Sequence, residues 1–433
     1  MSEVLMCVAL DAWQDPASVH DLVSSRGDDT FWLDAGPGAR AGWSWVGEGR
    51  LESDPERVRA LPCATAGEDV EGGRFRGGWV GWLGYEDAAS RAGAPTAPVE
   101  PAVAQVAWLR VERYVAFDHA AQVAWAFAPA HEVDGFRAFV DGAGEPIAAE
   151  GAAPLGLAIA RDLPREYAAL IERCRDAIRE GDAYQLCLTT RFRVEAEVDE
   201  VSAYRRLRTA TPAHHGGIVR AAGVALASAS PERFLEVGDG IVRTRPIKGT
   251  RPRGRDAEED LALARELRES EKERAENVMI VDLMRNDLSR VCAPGSVGVD
   301  GLLQVESYPA VHQLVSTVSG RLVEGTTVGD LLDATFPAGS MTGAPKLSAM
   351  TILHDLEDGP RGVFAGCFGW IGDDGALDLA MVIRSIVVHP GGAYVGAGGG
   401  ITWRSDAAAE VQEVGVKARG PLAALGATLP DGW

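Results

Sequence analysis

Apolar residues recur at two periods along this chain of 433 residues, and the change falls near residue 157. Before it, short apolar runs such as RGGWVGWLGY (76–85) and AQVAWAFAPA (121–130) are broken by Gly and Pro, which predicts strands rather than long helices. Stretches rich in Ala, Pro and Gly at 92–104 and 142–157 read as loops or linkers. After it, LPREYAALIERCRDAIREGD sets Tyr167, Ile171, Cys174 and Ile178 on one helical face, and Gly181 closes the helix. Strand-like runs follow in YQLCLTTRFRV, GVALASAS and FLEVGDGIVRTRP. The stretch 256–291 predicts two helices or one with a break. Further strands are expected at 311–322, 363–371 and 379–388, and a last helix from about 406. Strands outnumber helices without βαβ alternation, so the fold class is α+β. The expected organisation is an N-terminal, mostly β region (1–157) packed on a main domain (158–425).

Composition narrows the function. Hydrophobic content of 46% and charged content of 24% suit an ordinary globular protein. A net charge of −21 argues against nucleic acid as a partner, and an anionic substrate would need local positive charge. Six scattered cysteines form no C-x-x-C, no secretory leader is evident, and no run is long enough to span a membrane; a cytoplasmic location is expected. Of 42 basic residues only four are lysine: Lys248, Lys272, Lys346 and Lys417. Lys248 lies in TRPIKGTRPRG, among arginines. A guanidinium stays protonated, whereas a lysine amine can act as a nucleophile.

Two E-x-x-E pairs, Glu273/Glu276 and Glu410/Glu413, each put two carboxylates on one helical face. Such faces suit Mg²⁺, and equally suit a solvated surface; Glu413 also stands four residues before Lys417 as an ordinary ion pair would. The glycine-rich segments FPAGSMTGAPK (336–346) and YVGAGGGITW (394–403) read as turns. The first leads to a helix from about Ala344, and Gly398, Gly399 and Gly400 leave backbone N–H groups open to an anion. Arg384 follows an apolar strand and could grip a carboxylate. The eight histidines show no metal-binding spacing, and no Ser/His/Asp triad is legible.

Together the segments GDAYQLCLTTRF, SASPERFLEV, RPIKGTRPRG, KERAENVMIVDLMRNDLSRV, FPAGSMTGAPKLSAM, RGVFAGCFGWIG, MVIRS and GAGGGITWRSDAAAEVQEVGVKA resemble, in order, the chorismate-binding enzyme family. GGWVGWLGYE extends the likeness into the N-terminal region. The resemblance implies two antiparallel sheets packed as a sandwich with helices outside, and a catalytic domain over 158–425. It implies Mg²⁺ bridging the enzyme and a chorismate carboxylate, held by Glu276 and Glu413 with Glu273 and Glu410 behind them. It implies that Gln185, Gly249, Thr250, Arg384, Gly398, Gly399, Gly400 and Lys417 surround chorismate, and that Glu232 protonates the leaving 4-hydroxyl.

Within that family, water-adding members carry a lysine base where this chain has Gln185, and an amide cannot serve as that base. Anthranilate synthases read P-I-A-G-T where this chain reads Pro246–Thr250 with Lys248, which resembles the aminodeoxychorismate synthase branch. The resemblance then implies attack by the Lys248 amine on C2 of chorismate, assisted by Glu232, with ammonia from a separate glutamine amidotransferase subunit. The expected product is 4-amino-4-deoxychorismate, for 4-aminobenzoate and folate or for secondary metabolism; anthranilate synthesis is the alternative. The attacking amine must be uncharged, a state that burial, Mg²⁺ and the neighbouring Arg245 and Arg251 would favour. The histidine that assists pyruvate loss in anthranilate synthases is replaced by Gln313, and His312 should face the other way along a strand. Phe364 replaces a common tyrosine, and Ala35 replaces the serine with which relatives hold tryptophan, so no tryptophan site is assigned.

Overall fold

The strand Thr30–Asp34 has no exposed residue, yet its side chains part company: Phe31 and Leu33 enter one core and Trp32 another. The same alternation divides Leu226 from Ala225 and Ala227, Val387 from Ile386 and Val388, and Tyr394 from Ala393 and Val395. Successive side chains of a strand point to opposite faces, so this sheet is buried on both. That is why its strands read as apolar runs without polar alternation.

The computed structural model describes residues 4–64, 72–148, 151–308 and 311–433; residues 149–150 of the expected 142–157 loop lie outside them. One antiparallel sheet runs Leu5–Ala9, Val123–Pro129, Val106–Asp118, Trp43–Leu51, Thr30–Asp34, His215–Ala221, Val224–Ser230, Ser385–His389, Gly392–Ile401, Gln185–Val194. A second leaves the N-terminal half of Val106–Asp118 and runs Gly78–Leu83, Cys367–Gly372, Leu377–Met381, Arg233–Gly238, Ile241–Thr244, Val311–Arg321, Gly298–Ser307. The expected pair of antiparallel sheets is therefore present, joined into one ladder by a strand that serves both. Strands from the first 157 residues take part in each sheet.

One core lies between the sheets, where Phe31, Leu33 and Leu226 meet Trp82, Leu235 and Phe368. The other lies between the first sheet and its helices, where Val19, Ile171, Leu207 and Leu422 pack. These helices include Pro164–Glu180, which has Pro at its first position and a left-handed Gly181 at its end (φ 91°), and Ala407–Leu425, capped by Asp406. The 256–291 stretch divides into Ala257–Glu269 and Glu271–Ser289, because Ser270 ends one helix and caps the next. The second of these packs Ile280, Met284 and Leu288 into the inter-sheet core.

Three sequence expectations need correction. The 379–388 run breaks into two strands, since Arg384 adopts a left-handed φ of 53°. The helix expected from Ala344 begins at Lys346, because Gly343 and Ala344 first pair with Leu186 and Gln185. YVGAGGGITW is no turn: Gly398, Gly399 and Gly400 lie inside a strand, opposite Thr189, Leu188 and Cys187.

Candidate active site

Each of these strand glycines is explained by what a side chain would strike. A Cβ on Gly398 would stand 2.4 Å from the Leu188 carbonyl oxygen, and one on Gly399 3.1 Å from Glu410 Oε2. A Cβ on Gly400 would stand 2.8 Å from Gln185 Nε2 and 3.7 Å from Lys248 Nζ. The Gln185 amide and the Lys248 amine therefore face the same space in front of Gly400. Gln185 is fully buried, and neither its Oε1 nor its Nε2 has a hydrogen-bond partner among the described residues. Buried polar atoms are rarely left unpaired, so this amide is open to bond water or a ligand.

Lys248 reaches that space because of strand alternation. It lies on the short strand Ile247–Pro252, against Val311–Arg321. Arg245 and Ile247 face a separate cavity of about 690 Å³, lined also by Ala35, Trp43, Trp45 and His214. Neither Lys248, Glu232 nor the glutamate pairs line that cavity, so Lys248 faces away from it. The Lys248 amine donates no hydrogen bond among the described residues, and its charge acts on Glu232, Glu276 and Glu413.

Glu232 follows the strand Val224–Ser230 and is only 8% exposed. Burial pushes its carboxyl up to about 7, against the opposing pull of Lys248, the Ser340 hydroxyl and Lys417. A carboxylic acid at that value can hold a proton near neutrality and give it up in reaction.

The glutamate pairs sit on two helices that approach each other. Glu276 and Glu410 are buried, and Glu276 Oε1 has no hydrogen-bond partner among the described residues. Burial raises the Glu276 carboxyl to about 7 despite Lys248 and Lys272. Lys272 Nζ lies 3.4 Å from Glu410 Oε1 and 4.0 Å from Glu276 Oε1. Glu413 bonds Lys417 at 2.7 Å, which holds its carboxyl below the usual range. Lys417 also donates to the Gly398 carbonyl at 2.8 Å, so the i, i+4 pair foreseen as a surface pair is anchored to the glycine strand. Glu273 packs against Gly249, where φ is 82° and an added Cβ would meet the Glu273 carboxyl carbon at 2.9 Å. Thr250 is exposed at the rim.

Arg384 faces this region from the strand break. Burial lowers its pKa, Glu413 is its charged neighbour, and it forms no side-chain hydrogen bond among the described residues. A non-glycine residue in a left-handed conformation is strained, and such strain gathers at ligand sites. Arg245 and Arg251 behave otherwise than expected. Arg245 bonds Glu306, and Arg251 bonds Glu266 at 3.0 Å and pairs with Glu273 at 3.6 Å, so neither is a free cation crowding Lys248.

The sequence profile of the chorismate binding enzymes matches residues 28–423. The chain belongs to the chorismate binding enzyme family. This family member is 43% identical over 348 residues to an aminodeoxychorismate synthase of Streptomyces pristinaespiralis, covering 75% of this chain and 48% of that one. It is 44% identical over 266 residues to an anthranilate synthase component 1 of Streptomyces coelicolor, covering 60% and 51%. Its fold matches anthranilate synthase component I from Streptococcus pneumoniae with a TM-score of 0.74 at 28% identity, over 97% of this chain and 92% of that one. The chain spans about half the length of the curated relatives it matches.

In this chorismate binding enzyme, His312 is turned away from the site: its Nε2 meets Asp260 Oδ1 at 2.9 Å and its Nδ1 meets Ser307 Oγ at 2.8 Å. Its neighbour Gln313 is paired with Thr250 instead. Phe364 is buried against Gly396. Three features were missed from sequence. Ser340 beside Glu232 had no signal. The buried Arg361 linking Glu86 and Glu357 is one arginine among many. Lys272 did carry a signal, the scarcity of lysine.

Proposed function

We propose that the chain is the chorismate-aminating component of an aminodeoxychorismate synthase, acting with Mg²⁺ and with ammonia from a glutamine amidotransferase subunit. The observation that carries this reading is the amine of Lys248, which donates no hydrogen bond among the described residues, faces the open Gln185 amide and acts electrostatically on the buried acid Glu232.

The residues present fit magnesium. Among the described residues no three His, Cys, Asp or Glu side chains form a preformed cage, but Mg²⁺ commonly takes one or two carboxylates and completes its shell with water and substrate. Glu276 Oε1, without a hydrogen bond among the described residues, and the cation already drawn between Glu276 and Glu410 support this. Glu276 and Glu413 would hold the ion, with Glu273 and Glu410 behind them. When bound, it would neutralise and orient a substrate carboxylate.

Lys248 would attack C2 of chorismate, forming an N–C bond as both ring double bonds shift, from C1=C2 and C5=C6 to C1=C6 and C4=C5, and the C4–O bond breaks. Glu232 gives its proton to the departing hydroxyl, which leaves as water. Ammonia then bonds to C4, both double bonds shift back, the bond from Lys248 to C2 breaks, and a proton from the new ammonium returns to Glu232. Arg384 and Lys417 would hold carboxylate charge, and the backbone edge at Gly398–Gly400 would approach the ring closely. Because Gln313 stands where a histidine would assist pyruvate loss, the enolpyruvyl group should stay attached. Free cysteines, most of them buried, support a reducing, cytoplasmic setting; among the described residues no helix is long and apolar enough to cross a membrane.

Incubation with chorismate, Mg²⁺ and an ammonium salt tests the assignment. Mass spectrometry should find 4-amino-4-deoxychorismate, convertible to 4-aminobenzoate by an added lyase. Fluorescent anthranilate with released pyruvate would replace this reading with the alternative.

A further inference from the structure

Lys272 occupies an unusual position. It stands in the first turn of the Glu271–Ser289 helix, where the helix dipole disfavours a cation. Its ammonium nevertheless leans between two helices, 3.4 Å from Glu410 and 4.0 Å from Glu276, with the side chain still half exposed. The attraction of the carboxylates outweighs the dipole. Lys417 differs, because a carbonyl anchors it at 2.8 Å besides its carboxylate. Among the described residues Lys272 has no such anchor, and Glu276 Oε1 beside it is left without a hydrogen bond. A compact ammonium on a flexible stem can fill an ion's place and leave it, whereas a planar guanidinium would lock onto one carboxylate.

We propose that Lys272 is an internal counter-ion that holds the gap between the two glutamate pairs while no metal is bound, and that Mg²⁺ enters by displacing its ammonium into solvent. This rests on reading the glutamates as a magnesium site. Without a cation, the carboxylates of Glu273, Glu276, Glu410 and Glu413 would repel across the helix contact. With Lys272 in place the helices keep their spacing, and an arriving divalent ion must compete with a charge already there.

The test is a calorimetric titration of Mg²⁺ alone into the full chain, comparing the wild type with Lys272→Met and Lys272→Gln. Both variants should bind Mg²⁺ about tenfold more tightly, the scale of removing one competing charge at this distance in a hydrated site. Their melting temperatures should also rise more on adding Mg²⁺ than that of the wild type. A merely structural lysine would produce the opposite sign. Equal or weaker binding by the folded variants, with the wild type still binding, overturns the displacement and leaves the metal reading standing. No Mg²⁺ binding by any of the proteins removes the metal reading, and this inference with it. The glutamine variant provides the measurement if the methionine variant does not fold.

Discussion

In the proposed reaction Lys248 is the nucleophile and Glu232 the acid, and each role predicts a separate experiment. Replacing Lys248 with alanine should lower amination by roughly three orders of magnitude, the scale on which loss of a nucleophile acts. Mg²⁺ binding measured by calorimetry should persist; unchanged turnover would end the covalent route. Glu232 must be protonated to act, so kcat should fall as pH rises through about 7, and Glu232→Gln should lose that pH limb along with about 10²- to 10⁴-fold of rate. Stability follows the same group. Its folded value lies above the ordinary glutamate value of 4.5, so its contribution is full below that pH and lost as pH rises through about 7. Urea unfolding at pH 5 and pH 8 should show Glu232→Gln gaining on the wild type at the higher pH, by up to about 3 kcal/mol. At this scale the lysine at 248 was legible because the chain uses lysine so seldom. The acid value of Glu232 was not, since it comes from burial by residues distant in sequence.

At the scale of elements, the helices could be read from their apolar spacing, but the residues that cap them were not singled out. Asp256, Ser270 and Asp406 each accept a backbone N–H at a helix start. The glycine strand could not be read, because three successive glycines carry no strand propensity and resemble a turn. Their meaning lies in the neighbouring elements, and it separates two substitutions with the same chemical change. Gly398→Ala would drive a methyl into the Leu188 carbonyl of the paired strand at 2.4 Å, where backbone must move. It should cost about 1–3 kcal/mol of stability, read from denaturant unfolding. Gly400→Ala meets the ends of two side chains, Gln185 at 2.8 Å and Lys248 at 3.7 Å, which can turn aside. It should keep the wild-type unfolding midpoint while raising KM for chorismate, because the methyl fills the space shared by Gln185 and Lys248. Equal destabilisation by the two would show that this strand's open edge is structural and not a ligand surface.

For the whole molecule, the sequence pattern announced strands and outer helices but not their order, since antiparallel pairing between residues hundreds of positions apart leaves no local trace. Gly78–Leu83 pairs with Cys367–Gly372, and Thr30–Asp34 with His215–Ala221, so the N-terminal residues are woven into both sheets. A buried ionic knot ties the same parts together. Arg361 is 2% exposed and donates to Glu357 at 2.6 Å, to the Met341 carbonyl at 2.6 Å and to the Cys187 carbonyl at 2.8 Å. Its backbone N–H and that of Gly362 donate to Glu86 at 2.6 and 2.8 Å. Because Cys187 is paired with Gly400, the knot also fixes the strand that carries Gln185. Arg361→Met would leave Glu357 buried without its cation, a change that costs about 3–5 kcal/mol. For a chain of this length that lowers Tm by roughly 3–5 °C. Calorimetry should show one transition in both proteins, shifted down in the variant, with kcat reduced as the Gln185 strand loosens. Two transitions in the wild type would mean that the N-terminal region folds as a separate unit, and the proposed hold of Glu86 and Arg361 on the active-site strand would then have to be abandoned.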